Sequence, residues 1–160
     1  HVEPVGLAAV LGTGDHKTVG RLYVAFASAF GVAAFAMVGL SNLQGIGEGG
    51  TILGLSSVFP IFTLGQLSLV LLVAIPLFLG LATAVVPLQV GANTVAFPRA
   101  AAAAFWTWLL SASALICAYA IDGAIGSGGK PDSQQLALIA LIGLSASLIV
   151  GSFSARGVMA

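Results

Sequence analysis

Between Glu48 and Arg99 the chain carries no charged side chain. A soluble domain cannot hold so long a run away from water, and a lipid bilayer excludes charge from just such a run. The rest of the composition agrees: apolar residues make up 59% of the chain, charged residues 6%, and the mean hydropathy is +1.11. These values belong to an integral membrane protein. A chain of 160 residues has room for about four spans of roughly 20 residues each, hence for one all-α, four-helix membrane bundle.

The spans are expected at residues 19–40, 57–86, 100–121 and 135–153. The second exceeds a perpendicular crossing, so tilt or protruding ends are expected. Pro76 lies inside it and should remove a backbone hydrogen bond and kink the helix. Pro87 and Pro98 mark a short turn to the third span. The glycine-rich stretches Gly45–Gly50 and Gly126–Gly129 follow no strand and carry no lysine in a phosphate-cradling place, so they read as flexible connections. Small residues recur every four positions at Ala25, Ala29, Ala33 and at Ala27, Gly31 in the first span. They do so again at Gly143, Ser147, Gly151 and Ala155 in the fourth. Such faces let helices approach closely in lipid, and one of them, the fourth-span stripe above all, is expected to face another subunit.

Charge placement sets orientation. Lys17, Arg21, Arg99 and Arg156 fall at one end of the bundle and only Lys130 at the other, which puts both termini in the cytoplasm. Tyr23 and Tyr119 are expected as interfacial anchors near opposite ends. Five basic and five acidic residues leave no basic face for nucleic acid. His1 to Thr18 lacks the apolar core of a signal peptide, and because the first residue is not methionine, something upstream is expected to have been removed or omitted.

No span contains a carboxylate or lysine, the usual mark of an ion or proton path. Gln66, the most polar side chain in the second span, is expected to hydrogen-bond a neighbouring helix rather than line a water path. Asp15, His16 and Lys17 read as a helix start at the membrane surface in preference to a metal site. Ser111, Ser113 and Cys117 have no histidine base and are assigned to packing, as are Trp106 and Trp108. The single cysteine closes no intrachain disulfide.

Three blocks of sequence nonetheless carry a resemblance. Asp15, His16, Lys17, Thr18, Val19, Gly20 and Tyr23 resemble the DHKxIGxxY opening of subunit I of the haem-copper oxidases, the cytochrome c oxidase family. Phe62 and Thr63 through Ala74, Ile75, Pro76, Leu77 and Phe78 are similar to its FTMHGT and ATPIF. Val86, Pro87, Leu88, Gln89, Val90, Gly91 and Ala92, followed by Ala96, Phe97, Pro98, Arg99, Phe105 and Trp106, resemble the loop joining its second and third helices. The resemblance covers about Gly14 to Trp106; the fourth span matches by position and hydrophobicity alone.

Departures from the family pattern shape the functional expectation. Gly65 stands where the family has a histidine ligand to the low-spin haem, and Thr94 where it has an acidic residue at a proton-channel mouth. Ala101 and Ala102 replace paired asparagines. The resemblance thus implies an accessory, non-catalytic subunit of a bacterial haem-copper cytochrome c oxidase. That subunit would be multi-pass in the plasma membrane and have a structural or stabilising role in the aerobic respiratory chain. No catalytic, cofactor-binding or metal-binding residue is assigned to it, and haem and copper are expected in partner subunits. The expected partners are the other oxidase subunits, a cytochrome bc complex within a supercomplex, and membrane lipids. Two alternatives stay open: an assembly factor or small membrane transporter derived from subunit I, and half of a split catalytic subunit.

Overall fold

The computed structural model describes Thr13 and residues 15–43, 55–93 and 95–157. The Gly45–Gly50 turn, Glu48, Thr94 and His1 lie outside the described residues. Every regular element described is helical: α1 (His16–Leu43), α2 (Leu55–Ser68), a π-helical segment (Leu69–Ala74), α3 (Ile75–Val90), α4 (Pro98–Asp122) and α5 (Pro131–Arg156). The α2, π and α3 elements run on into one another, so four helices among the described residues are long and apolar enough to cross a membrane: His16–Leu43, Ser57–Val90, Pro98–Asp122 and Pro131–Arg156.

The helix ends follow from local chemistry. Asp15 caps α1: its carboxylate accepts from the Lys17 and Thr18 backbone N–H groups, each at 3.2 Å, and from the Thr18 hydroxyl at 2.8 Å. These bonds satisfy donors that a helix start otherwise leaves open. Proline opens both α4 and α5, where its missing N–H costs nothing. Asp132 in the first turn of α5 and Arg156 in the last complement the helix dipole.

The second span departs from expectation at both prolines. Pro87 is not in the turn but inside α3, and the helix runs on to Val90. It deletes only the bond to the Thr83 carbonyl, a loss one helical turn tolerates between packed neighbours. The chain reverses at Gly91, whose φ of +71° is a left-handed cap that glycine adopts without strain. At Pro76 the interruption takes the form of the π segment: the Ile75 N–H donates to Val70 rather than to Leu71. A wider turn just ahead of proline accommodates the missing donor.

The first span packs along the second, the third and fourth form an antiparallel pair, and the fourth returns to the second. Glycines set the close approaches. A Cβ on Gly20 would lie 2.8 Å from the Ala84 Cβ and 2.9 Å from the Gly80 carbonyl, and one on Gly80 would lie 2.5 Å from the Tyr23 Cβ. The fourth-span stripe is likewise spent inside the chain, contrary to expectation. Gly143 backs onto the Ser111 side chain, Gly151 faces Leu79, and Ser147 and Ala155 are buried. In the first span Ala27 and Gly31 are buried, whereas Ala25, Ala29 and Ala33 face outward.

Candidate functional site

The three sequence blocks converge on one seam between the first, second and third spans. From the first block, the Tyr23 ring meets Phe105 edge-on with centroids 5.0 Å apart, and Trp108 at 5.5 Å. Phe26 and Phe30 extend the cluster to Phe105 and Trp108, both at 5.8 Å, and Trp106 meets Phe105 at 5.1 Å. Edge-on and tilted rings at these distances add to the gain from burial. From the second block, Pro76 and the π segment present the Leu71 carbonyl, which accepts from the Trp108 indole N–H at 3.4 Å.

Tyr23 is therefore a core residue, 1% exposed, and not an interfacial anchor. The face of α1, not its end, decides this: Val19, Gly20, Tyr23, Ala27, Gly31 and Ala34 share the buried side. The Tyr23 hydroxyl is enclosed without a hydrogen-bond partner among the described residues. Tyr119 is also buried, and its hydroxyl donates to the Ile125 carbonyl at 2.6 Å, tying down the turn between α4 and α5.

Gly65 is buried against the first span. A Cβ there would lie 2.8 Å from Val38 Cγ2 and 3.7 Å from both the Ala34 carbonyl oxygen and the Met37 Cβ. Gly65 stands where the resemblance aligns the family's haem-ligating histidine; it carries no donor atom, and a Cβ there would press on the Val38 side chain. His16 is remote from Gly65. It is buried at the start of α1, and Ala34, beside Gly65, lies 18 residues on, about 27 Å along the helix. Among the described residues neither ring nitrogen of His16 has a hydrogen-bond partner, and the Asp15 carboxylate is 3.8 Å away. The described residues contain no group of three His, Cys, Asp or Glu side chains placed to hold a metal ion.

The remaining polar positions depart in part from expectation. Gln66 points out of the bundle, exposed, and makes no hydrogen bond to a neighbouring span among the described residues. The α2 face carrying Gly65 is closed by the first span, and Gln66, about 100° further round the helix, is on the open side. Cys117 is exposed on the outer surface of the third span instead of packing inward. Ser113 bonds back to the Leu109 carbonyl at 2.9 Å, and Ser111 packs on Gly143. Ala101 is buried and Ala102 half-buried.

Four long apolar helices, closed by glycine contacts and an aromatic seam, define a multi-pass α-helical membrane protein. Its relatives are specific. The chain is 37% identical over 99 residues to probable cytochrome c oxidase subunit 1-alpha of Streptomyces avermitilis, covering 62% of this chain and 17% of the relative. It is 36% identical over 124 residues to probable cytochrome c oxidase subunit 1-beta of Nocardia farcinica, covering 75% and 20%. With the heme-copper oxidase subunit I+III of Aeropyrum pernix it shares 35% over 107 residues, covering 67% and 13%. No protein-family model matches the chain. The chain is homologous to the N-terminal region of cytochrome c oxidase subunit I, spans a fifth or less of the length of these relatives, and is a multi-pass protein of a bacterial plasma membrane.

Proposed function

We propose that this chain is a non-catalytic accessory subunit of a haem-copper cytochrome c oxidase, with a structural role in an aerobic respiratory chain and with haem and copper held by other subunits. The observation that carries the proposal is the seat of Gly65. Where a catalytic subunit I would place a haem ligand, this chain packs its first span directly onto the backbone. The homology supports association with other oxidase subunits. Two outward features support it as well: the Ala25, Ala29, Ala33 face and the exposed amide of Gln66, since small residues and unpaired amides are what helices use to associate in lipid. A cytochrome bc complex in the same supercomplex is a further partner on this reading. Both termini lie in the cytoplasm, on the side of Lys17, Arg21, Arg99 and Arg156.

Purification through a tag on this chain in mild detergent, followed by an optical spectrum and a subunit census, tests the proposal. It expects a haem-containing oxidase in equal amounts. Recovery of the chain alone and colourless overturns it in favour of transport or assembly. A haem spectrum that stays with the chain after its partners are stripped away overturns it in favour of a catalytic fragment.

A further inference from the structure

A groove of about 170 Å³ runs between the second and fourth spans, lined by Leu79, Ala82, Val86, Ser152, Ala155 and Arg156. Its walls are almost wholly apolar, and Arg156, the last residue of α5, stands at one end of it. The adjoining Gly157 packs against the turn before the third span: a Cβ on it would lie 2.6 Å from the Ala96 Cβ and 4.0 Å from the Phe97 ring. That contact brings the start of α4, with Arg99, to the same end of the bundle as Arg156.

The two ends of the bundle differ in how their cations are balanced. Lys130 is paired with Asp122 at 3.1 Å. At the other end, Lys17, Arg21, Arg99 and Arg156 are exposed, and none has a carboxylate within ion-pairing distance among the described residues. Asp15, the one described carboxylate at that end, caps α1 and ion-pairs with none of the four. An apolar channel with Arg156 in its lining and Arg99 at the same end of the bundle is complementary to an amphiphile with an acyl chain and a phosphate head, because guanidinium binds phosphate in a two-pronged fork.

We propose that this groove is a binding site for one anionic glycerophospholipid, its phosphate on Arg156 and Arg99 and the upper part of one acyl chain along Leu79, Ala82 and Val86. Small side chains at Ala82 and Ala155 keep the channel open. The site does not depend on the chain being an oxidase subunit. It requires only that the protein span a bilayer, and it selects by headgroup charge: a basic pocket between spans holds an anionic head more tightly than a zwitterionic one.

Native mass spectrometry of the full chain in mild detergent, titrated with phosphatidylglycerol or with phosphatidylcholine of the same acyl composition, tests the site. Phosphatidylglycerol should be retained in preference. Arg156→Gln should lower that preference about fivefold, and Arg99→Gln should lower it again. Arg156→Lys, which keeps the charge and loses the fork, should keep part of it, and Lys130→Gln, at the opposite end, should leave it unchanged. Ala82→Phe, which fills the channel without touching charge, should weaken retention of both lipids alike. Equal retention of the two lipids by the unaltered chain overturns the proposal. So does an unchanged preference in Arg156→Gln, or an equal loss in Lys130→Gln, which would reduce the effect to overall charge.

Discussion

The indole N–H of Trp108 donates to the carbonyl oxygen of Leu71 across the interface of the second and third spans, at 3.4 Å. Leu71 needs that donor. Its ordinary helical partner would be the Ile75 N–H, which the π segment diverts to Val70, and the next residue, Pro76, has no N–H. An unpaired carbonyl inside a bilayer costs several kcal/mol, so a tryptophan from the neighbouring span completes what the proline removes. Trp108→Phe, which keeps a ring and removes the donor, should destabilise the bundle by about 1–3 kcal/mol in a denaturant or thermal titration in detergent. Pro76→Ala should restore a backbone donor to this stretch, so the Trp108→Phe penalty should shrink in the double variant. Strict additivity would show that the two residues act separately.

Gly80 and Gly20 let the first and second spans meet backbone to backbone. Gly80→Ala places a Cβ 2.5 Å from that of Tyr23, which neither helix can yield without moving. Overpacking of this kind costs about 1–3 kcal/mol, and here it should also disturb the rings stacked on Tyr23, visible as a change in tryptophan fluorescence. Gly39, whose Cβ would meet nothing within 4 Å, is the control: Gly39→Ala should be neutral or mildly stabilising because alanine is the better helix former.

Among the described residues the Tyr23 hydroxyl is enclosed without a partner, and a buried unpaired hydroxyl is a cost carried by the folded state. Tyr23→Phe keeps the ring contacts with Phe105 and Trp108 and removes that cost. The purified chain should therefore be as stable as before, or more so by up to about 1 kcal/mol. A loss of stability in the melting curve would mean that the hydroxyl finds a partner within the folded chain.

The cap on α1 makes stability depend on pH at the acid end. The Thr18 hydroxyl, bonded to the Asp15 carboxylate, holds its pKa below the usual carboxylate value. Partial burial acts the other way, and the Lys17 and Thr18 backbone N–H groups add to the lowering. Because the folded pKa is depressed, the stabilisation is present above the unfolded value near 3.9 and is lost as pH falls through the folded one. Asp15 is half exposed, so screening keeps the effect small. Asp15→Ala should cost about 1 kcal/mol near neutral pH and flatten the acid limb of a stability profile; an unaltered limb would place the titration elsewhere.

Much of this arrangement can be read without coordinates. The uncharged stretch after Glu48 dictates membrane helices, and Gly65 in place of a ligand is visible from the neighbouring Phe62 and Thr63. What the letters do not settle is which neighbour fills each face. Gly143, Ser147 and Gly151 have the period of a close contact whether the contact is with Ser111 and Leu79 or with another protein. Tyr23 looks like an anchor by its distance from the helix end, although its spacing from Gly20 and Ala27 already places it on the small-residue, buried face. Pro76 announces a missing hydrogen bond but not the π segment that absorbs it, because that solution depends on Trp108, thirty-two residues later, standing opposite.

Gln66 offers a direct way to find the surface that meets a partner. Leu64 and Ile116 line one groove and Leu71 meets Trp108, so the antiparallel register sets Gln66 level with Ala114. That is eight residues short of Asp122, about 12 Å inside the end of the third span. An amide at that depth, exposed and unbonded to another span, should find its partner on a neighbouring chain, where such a bond contributes about 1–2 kcal/mol. Gln66→Leu removes no contact within the bundle, so its melting curve should match the parent. Its recovery of oxidase subunits through a tag on this chain should fall by about fivefold or more, and Gln66→Asn should restore part of it. Undiminished recovery would move the interface away from this face of α2 and toward the Ala25, Ala29, Ala33 face, where Ala29→Leu would become the informative variant.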